Sequence, residues 1–158
     1  MTVPVNDTSV RTSIMVQAPA ERAFTVFTAD MGSWWPPEHH LLTGELDEMV
    51  FERVGGRVYD RAKDGSECVW ARVLSYEPPH RVVFSWDINL QWEIETDRGK
   101  TSEVEVRFVP EGPDRTRVEL EHRHLDRHGN GWENMRDAVG SPDGWGVGLR
   151  RLADRLST

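Results

Sequence analysis

Gly65-Ser66-Glu67-Cys68-Val69-Trp70-Ala71-Arg72-Val73-Leu74-Ser75-Tyr76-Glu77-Pro78-Pro79-His80-Arg81-Val82-Val83-Phe84-Ser85-Trp86 is the stretch on which the fold turns. Its apolar residues recur at every second position, and neither half has room for a helix. Proline fixes φ and donates no hydrogen bond, so Pro78-Pro79 stops the first strand. The chain then re-enters a run of Val, Phe and Trp, the residue types that suit a pleated surface. Two antiparallel strands with a Glu-Pro-Pro-His turn are expected. Large aromatics on such a sheet supply the wall of a cavity if a helix lies across it.

Reading outward from that pair extends the meander. Upstream, residues 46–53 and 57–61 are expected as strands joined by the tight Gly55-Gly56 turn, and Asp64-Gly65 makes the next turn. Downstream, residues 88–95 are expected to prolong the sheet before a turn at Thr96-Asp97-Arg98-Gly99. Residues 103–109 follow as a strand with Val104, Val106 and Phe108 on one face. Pro110 to Asp114 reads as a turn, and residues 116–125 as the last strand. Near the N-terminus, residues 10–16 alternate, with Val10, Thr12, Ile14 and Val16 on one face. Ala18-Pro19 ends that strand, and Pro19 suits the first position of a helix over 19–28. Met31-Gly32-Ser33-Trp34-Trp35-Pro36-Pro37 is a turn or a one-turn helix.

After the last strand the period changes from two to 3.6. Residues 131–139 form a short helix with Trp132, Met135 and Val139 on one side. Ser141-Pro142-Asp143 combines a serine cap, an early proline and an acidic first turn. Trp145, Leu149, Leu152 and Leu156 then define one buried face of a C-terminal helix. The expected class is α+β: a curved antiparallel sheet of about six to seven strands around a long C-terminal helix, in a single domain over residues 1–158. A one-sided sheet needs a cover, and a twisted sheet wrapped on one helix leaves a pocket between them.

Composition bounds the partners. The 158 residues carry a formal net charge of −8 and a mean hydropathy of −0.60. Concentrated positive charge is missing, which argues against nucleic acid and anionic membrane surfaces. No run approaches the roughly 20 apolar residues of a membrane span, and Met1 to Asp7 have no signal-peptide character. The lone Cys68 precludes an internal disulfide and suits a reducing cytoplasm.

The pattern resembles the helix-grip superfamily of START, polyketide cyclase and birch-pollen-allergen-type proteins (SRPBCC). Within it, it is most similar to the group related to the C-terminal domain of the heat-shock-protein-90 ATPase activator. The resemblance rests on Pro19-Ala20-Glu21-Arg22-Ala23-Phe24, Met31-Gly32-Ser33-Trp34-Trp35-Pro36, Gly55-Gly56-Arg57, Val73 to Trp86, Thr116-Arg117-Val118-Glu119-Leu120-Glu121-His122 and Gly144-Trp145. It spans residues 9–156. It implies the helix-grip fold and a choice among carriers, sensors, cyclases and co-chaperones.

Seven tryptophans are many for this length. Aromatic-lined pockets suit apolar or aromatic ligands, although core packing uses the same residues. The lining expected here is Phe27, Trp34, Trp35, Phe51, Trp70, Phe84, Trp86, His122, Trp145 and Leu149. Trp86 and Trp145 should face each other. Trp34 and Trp35 are adjacent and should not both point inward. The loop over 34–42, stiffened by Pro36-Pro37, is a candidate gate. His122 shares strand parity with Val118, Leu120 and His124, and an inward imidazole can serve as acid or base. The duller reading makes His122 a hydrogen-bonded group of the pocket wall, leaves His124 at the strand end in solvent, and expects no metal. His39-His40 reads as a solvated loop, and Cys68 as a small buried residue, not a reactive thiol. Arg57, Arg72 and Arg81 can pair an anionic head group, but on alternating strands they belong to the solvent face. No cofactor is expected, and no dinucleotide, nucleophile-elbow or zinc-protease motif occurs.

The expected function is binding of a small hydrophobic or aromatic molecule between sheet and C-terminal helix, in preference to an enzyme. Two alternatives stand beside it: a cyclase-like enzyme with His122 as acid/base, and a co-chaperone acting on a heat-shock-protein-90 ATPase. A homodimer through an edge strand is compatible with all three.

Overall fold

The computed structural model describes residues 8–37, 39–41, 44–53 and 55–157. Seven antiparallel strands form one curled sheet in the order β1-β7-β6-β5-β4-β3-β2. They are β1 Val10–Val16, β2 Leu46–Phe51, β3 Arg57–Ala62, β4 Glu67–Glu77, β5 Arg81–Trp86, β6 Ser102–Gly112 and β7 Arg115–Arg123. Helix α1 (Ala20–Thr28) follows β1, and α2 (Trp132–Val139) and α3 (Val147–Leu156) follow β7. Every strand pairs with its sequence neighbour except that β1 closes on β7, with Ile14 opposite Val118. The opening stretch folds as read: β4 and β5 pair with Val73 opposite Phe84, and a bulge between Val73 and Ser75 bends the ribbon.

The inner face follows the register. Trp86 lies opposite Ser102, Phe84 opposite Val104, and Val82 opposite Val106. Val104, Val106 and Phe108 in turn face His122, Leu120 and Val118 across β7. Phe24 and Phe27 of α1 press onto Phe108, with ring centroids 5.2 and 5.8 Å apart. Leu149, Leu152 and Leu156 of α3 are buried, as their spacing requires. Arg22 of α1 donates to the Leu156 carbonyl at 3.1 Å and Arg151 of α3 to the Trp34 carbonyl at 2.9 Å. These two bonds tie α3 to α1 and to the turn after it.

Several expectations change. Pro19 is the cap residue of α1, and the helix starts at Ala20. Residues 88–95 do not prolong β5: one bridge, Ile88 to Ile94, closes a tight loop in which Trp92 has φ +60°. Asn89 explains the loop, because its side chain accepts the backbone N–H of both Gln91 and Glu93 at 2.9 Å. Strand β6 continues through Pro110 to Gly112. β7 ends at Arg123, and His124 turns into the left-handed region at φ +61°, so it no longer shares a face with His122. Ser141 does not cap α3. Its hydroxyl donates back to the Ala138 carbonyl at 2.8 Å, and the backbone breaks at Gly144 before α3 begins at Val147.

Candidate functional site

A cavity of about 460 Å³ opens where β5, the turn after α1 and the segment joining α2 to α3 converge. That size falls within the usual range for small-molecule pockets. Trp35, Trp86 and Trp145 give it three aromatic walls, and Ile88, Leu41, Val139 and Ala138 add apolar surface. The rings of Trp86 and Trp145 are 5.6 Å apart, and those of Trp35 and Trp145 5.8 Å apart. Pro36, His39 and His40 form a strap along one side, pinned where Trp35 Nε1 donates to the His39 carbonyl at 3.0 Å. Trp92, 47% exposed, stands on the rim. The gate expected over 34–42 thus borders the cavity, although Glu38 and Leu42 lie outside the described residues.

Of the ten lining residues expected from sequence, three reach the cavity: Trp35, Trp86 and Trp145. Trp34 and Trp35 are both buried, against expectation. They follow the short turn Met31–Ser33, not a strand, so alternation does not apply, and their rings meet edge-on with centroids 5.6 Å apart. Trp34 enters the core under Phe27, with ring centroids 4.9 Å apart, and its indole donates to the Val26 carbonyl at 3.1 Å. Phe27, Phe84 and Leu149 are core residues, and Phe51 and Trp70 pack beside Phe84 at 5.8 and 6.1 Å. None of these six lines the cavity.

His122 lies behind the aromatic wall, fully buried. Trp145 Nε1 donates to His122 Nδ1 at 3.1 Å, and His122 Nε2 and His128 Nε2 both lie 2.7 Å from Ser102 Oγ. An indole nitrogen can only donate, which fixes the proton order. His122 Nδ1 carries no proton, Nε2–H donates to Ser102, and the Ser102 hydroxyl donates to His128. Burial, reinforced by His128, pulls His122 down to about 3, so the ring is neutral at physiological pH. Burial also lowers His128, against the opposing pull of Glu95 and Asp87. Two donors in this neighbourhood find no partner among the described residues: Trp86 Nε1 and His128 Nδ1.

The opposite wall holds a histidine of another kind. His40 Nδ1 lies 2.7 Å from Asp60 Oδ2, and Trp70 Nε1 donates to Asp60 Oδ1 at 3.3 Å. Asp60 sits on β3 and is 2% exposed. With its carboxylate accepting from both sides, the Nδ1 of His40 carries the proton, and Nε2 has no protein partner among the described residues. His40 itself borders the cavity. Sequence reading placed it in a solvated loop; its partner is twenty positions away, and no local spacing announces the pair.

The remaining candidates have structural occupations. Arg72 grips Asp87 with two 3.0 Å bonds, Arg57 meets Glu52 and Glu67, and Arg81 meets Glu77 and Glu105. Burial, aided by Asp60, pushes the Cys68 thiol up, the reverse of an activated nucleophile. Among the described residues no three His, Cys, Asp or Glu side chains group as metal ligands. Among the described residues no helix is long and apolar enough to cross a membrane.

A curled seven-stranded antiparallel sheet, a C-terminal helix and an aromatic cavity between them define a helix-grip protein of the SRPBCC type. The chain belongs to the family of activator of Hsp90 ATPase homolog 1-like proteins, whose model matches residues 17–157. Among solved structures it is similar to an anthrahydroquino-γ-pyrone synthase, Txn09, determined in complex with SUM. The two are 43% identical over 96% of this chain and 99% of that one, with a TM-score of 0.65. It is also similar to the self-sacrificing resistance protein CalC from Micromonospora echinospora, at 28% identity over 96% and 95% of the two chains and a TM-score of 0.68. The Aha1 dimer from Colwellia psychrerythraea shares the fold at 16% identity over 94% and 95%, with a TM-score of 0.62. No curated protein matches the chain.

Proposed function

We propose that this protein binds a planar, largely apolar aromatic small molecule in the cavity walled by Trp35, Trp86 and Trp145. One observation carries the reading: three indoles from separate segments converge on an open space of about 460 Å³ instead of packing it shut. Flat rings stack on flat rings, and burial of apolar surface supplies about 25 cal/mol per Å² before ordering costs. The polar groups on the wall, His39, His40, Ser141 and Asp143, are few enough to orient a ligand without making the site hydrophilic. A titration with alizarin, a dihydroxylated three-ring quinone, followed by tryptophan fluorescence tests it. Saturable quenching that weakens at least ten-fold in Trp35→Ala is expected. No quenching up to the solubility limit, together with no small molecule retained in native mass spectrometry, would overturn the reading.

A second reading, a ring-forming enzyme using the same cavity, is favoured by the 43% identity to a synthase along almost the whole chain. His122 is a poor acid/base for it, because both ring nitrogens are engaged and the cavity does not reach it. The co-chaperone reading draws on the family description alone. Among the described residues the large apolar side chains at the surface are Leu74, Trp92 and Ile94, a thin basis for a docking face. A cytoplasmic location fits the single cysteine, and a homodimer would use the open edge of β1 or β2.

A further inference from the structure

We propose that His40 and Asp60 form the proton-transfer centre of the cavity, with His40 Nε2 as base for an acidic hydroxyl, phenolic or enolic, on the aromatic ligand. The inference rests on the small-molecule reading above and gives that site a chemistry. Three observations support it.

The first is orientation. Asp60 Oδ2 holds His40 Nδ1 at 2.7 Å, which leaves the Nε2 lone pair as the ring's open position on a residue of the cavity wall. The second is the isolation of the carboxylate. Asp60 is 2% exposed, and among the described residues His40 is its one ion-pair partner. Trp70 gives it a neutral donor at 3.3 Å, not a charge. A buried carboxylate without a cation is costly. An imidazolium formed at His40 would stand directly against this carboxylate, which has no other cation beside it among the described residues. The third is contrast. His122, an imidazole behind the indoles, has both nitrogens bonded within the protein. The other titratable groups in this neighbourhood are His39 and Asp143 on the cavity wall and Cys68, which lies opposite Asp60 on β4.

The step balances without any further reactant. The ligand O–H bond breaks and its electron pair stays on oxygen. The proton bonds to Nε2, the Asp60 carboxylate stabilises the imidazolium, and the resulting phenolate or enolate is the activated nucleophile. His40 touches the ligand and is the catalytic residue; Asp60 acts through it and is the positioning residue.

Alizarin serves as the probe, because its visible absorption reports ionisation of its hydroxyls. With the full-length protein saturated by dye, the bound dye should ionise about one pH unit lower on wild type than on His40→Gln, a ten-fold change in its ionisation constant. Glutamine can still donate to Asp60 but takes no proton in this range. Asp60→Asn, which keeps a hydrogen-bonding group but removes the carboxylate charge, should give a midpoint between those of wild type and His40→Gln, a shift that a purely structural role would not produce. A second measurement needs no variant: dye added at fixed pH should move the ¹⁵N shift of His40 Nε2 from the bare to the protonated position. Equal midpoints with dye bound, or an unmoved ¹⁵N shift, would overturn the proton-transfer assignment and leave the binding site standing. Failure of wild type to bind dye would overturn the cavity reading and this assignment together.

Discussion

His122 and His40 border the same group of indoles and live in opposite chemistries. His122 lies on β7, fully buried, with a donor on one nitrogen and a serine on the other. His40 lies on a strap outside the sheet, braced by a buried carboxylate on one nitrogen and open on the other. The histidine that strand parity points inward is sealed into the frame, and the one in an irregular loop is the one a ligand can meet. Burial alone therefore does not mark a candidate histidine; an open ring nitrogen beside a cavity does.

The widest gap between the two should appear in acid. The unfolded chain protonates its histidines near 6.5, whereas folded His122 refuses a proton until about 3. Protonation therefore favours the unfolded chain as pH falls from about 6.5 to 3, and the loss reaches about 5 kcal/mol at the lower end. His128 acts in the same direction. Urea denaturation at pH 7.5 and 4 measures the slope, and His122→Gln should flatten it. A wild-type slope that survives this substitution would locate the acid sensitivity elsewhere. At neutral pH, His122→Ala should cost about 3 kcal/mol, since it opens a cavity and strands the Trp145 N–H and Ser102. His40→Gln should cost less than about 1 kcal/mol in the same assay, because an amide can still serve Asp60. The reverse order would break the comparison.

Trp145 joins the two regions, with one edge on His122 and one face on the cavity. Trp145→Phe should lose about 1–2 kcal/mol of stability and several-fold in dye affinity, measured by denaturation and fluorescence titration. Trp92 should give the smallest stability effect. It is exposed and holds a positive φ of 60°, a region that favours glycine. Trp92→Gly should leave stability within about 1 kcal/mol of wild type, at or above it, while dye dissociates faster through the opened rim. A drop of several kcal/mol would mean that the ring supports the fold instead of the cavity.

Much of the frame was legible because it is local. Alternation in residues 67–86 and Pro78-Pro79 mark β4 and β5, and the spacing of Leu149, Leu152 and Leu156 marks the buried face of the last helix; Trp145, expected on that helix, lies in the turn before it because the backbone breaks at Gly144. The site was legible only in part. Trp86 and Trp145 meet as their elements require. Phe84 and Leu149 belong to the same faces, yet neighbours cover them completely, and packing of that kind is decided between segments distant in sequence. His40 and Asp60 lie beyond any periodic signal for the same reason: one is in a loop, the other on a strand where an acidic residue reads as solvent-facing. Residues 88–95 misled because Ile88 and Ile94 alternate like a strand, while Asn89 captures the backbone and folds it into a loop.

At Gly144 the chain passes so close to the end of α2 that a methyl group there would sit 2.4 Å from the Val139 carbonyl oxygen and 2.5 Å from that of Ala138. Any side chain would push the floor of the hollow away from the helix and carry Trp145 with it. Redesign of the cavity for a bulkier or slimmer guest must therefore work through other wall residues, not through Gly144. The crossing itself is a fixed datum from which the depth of the chamber is measured.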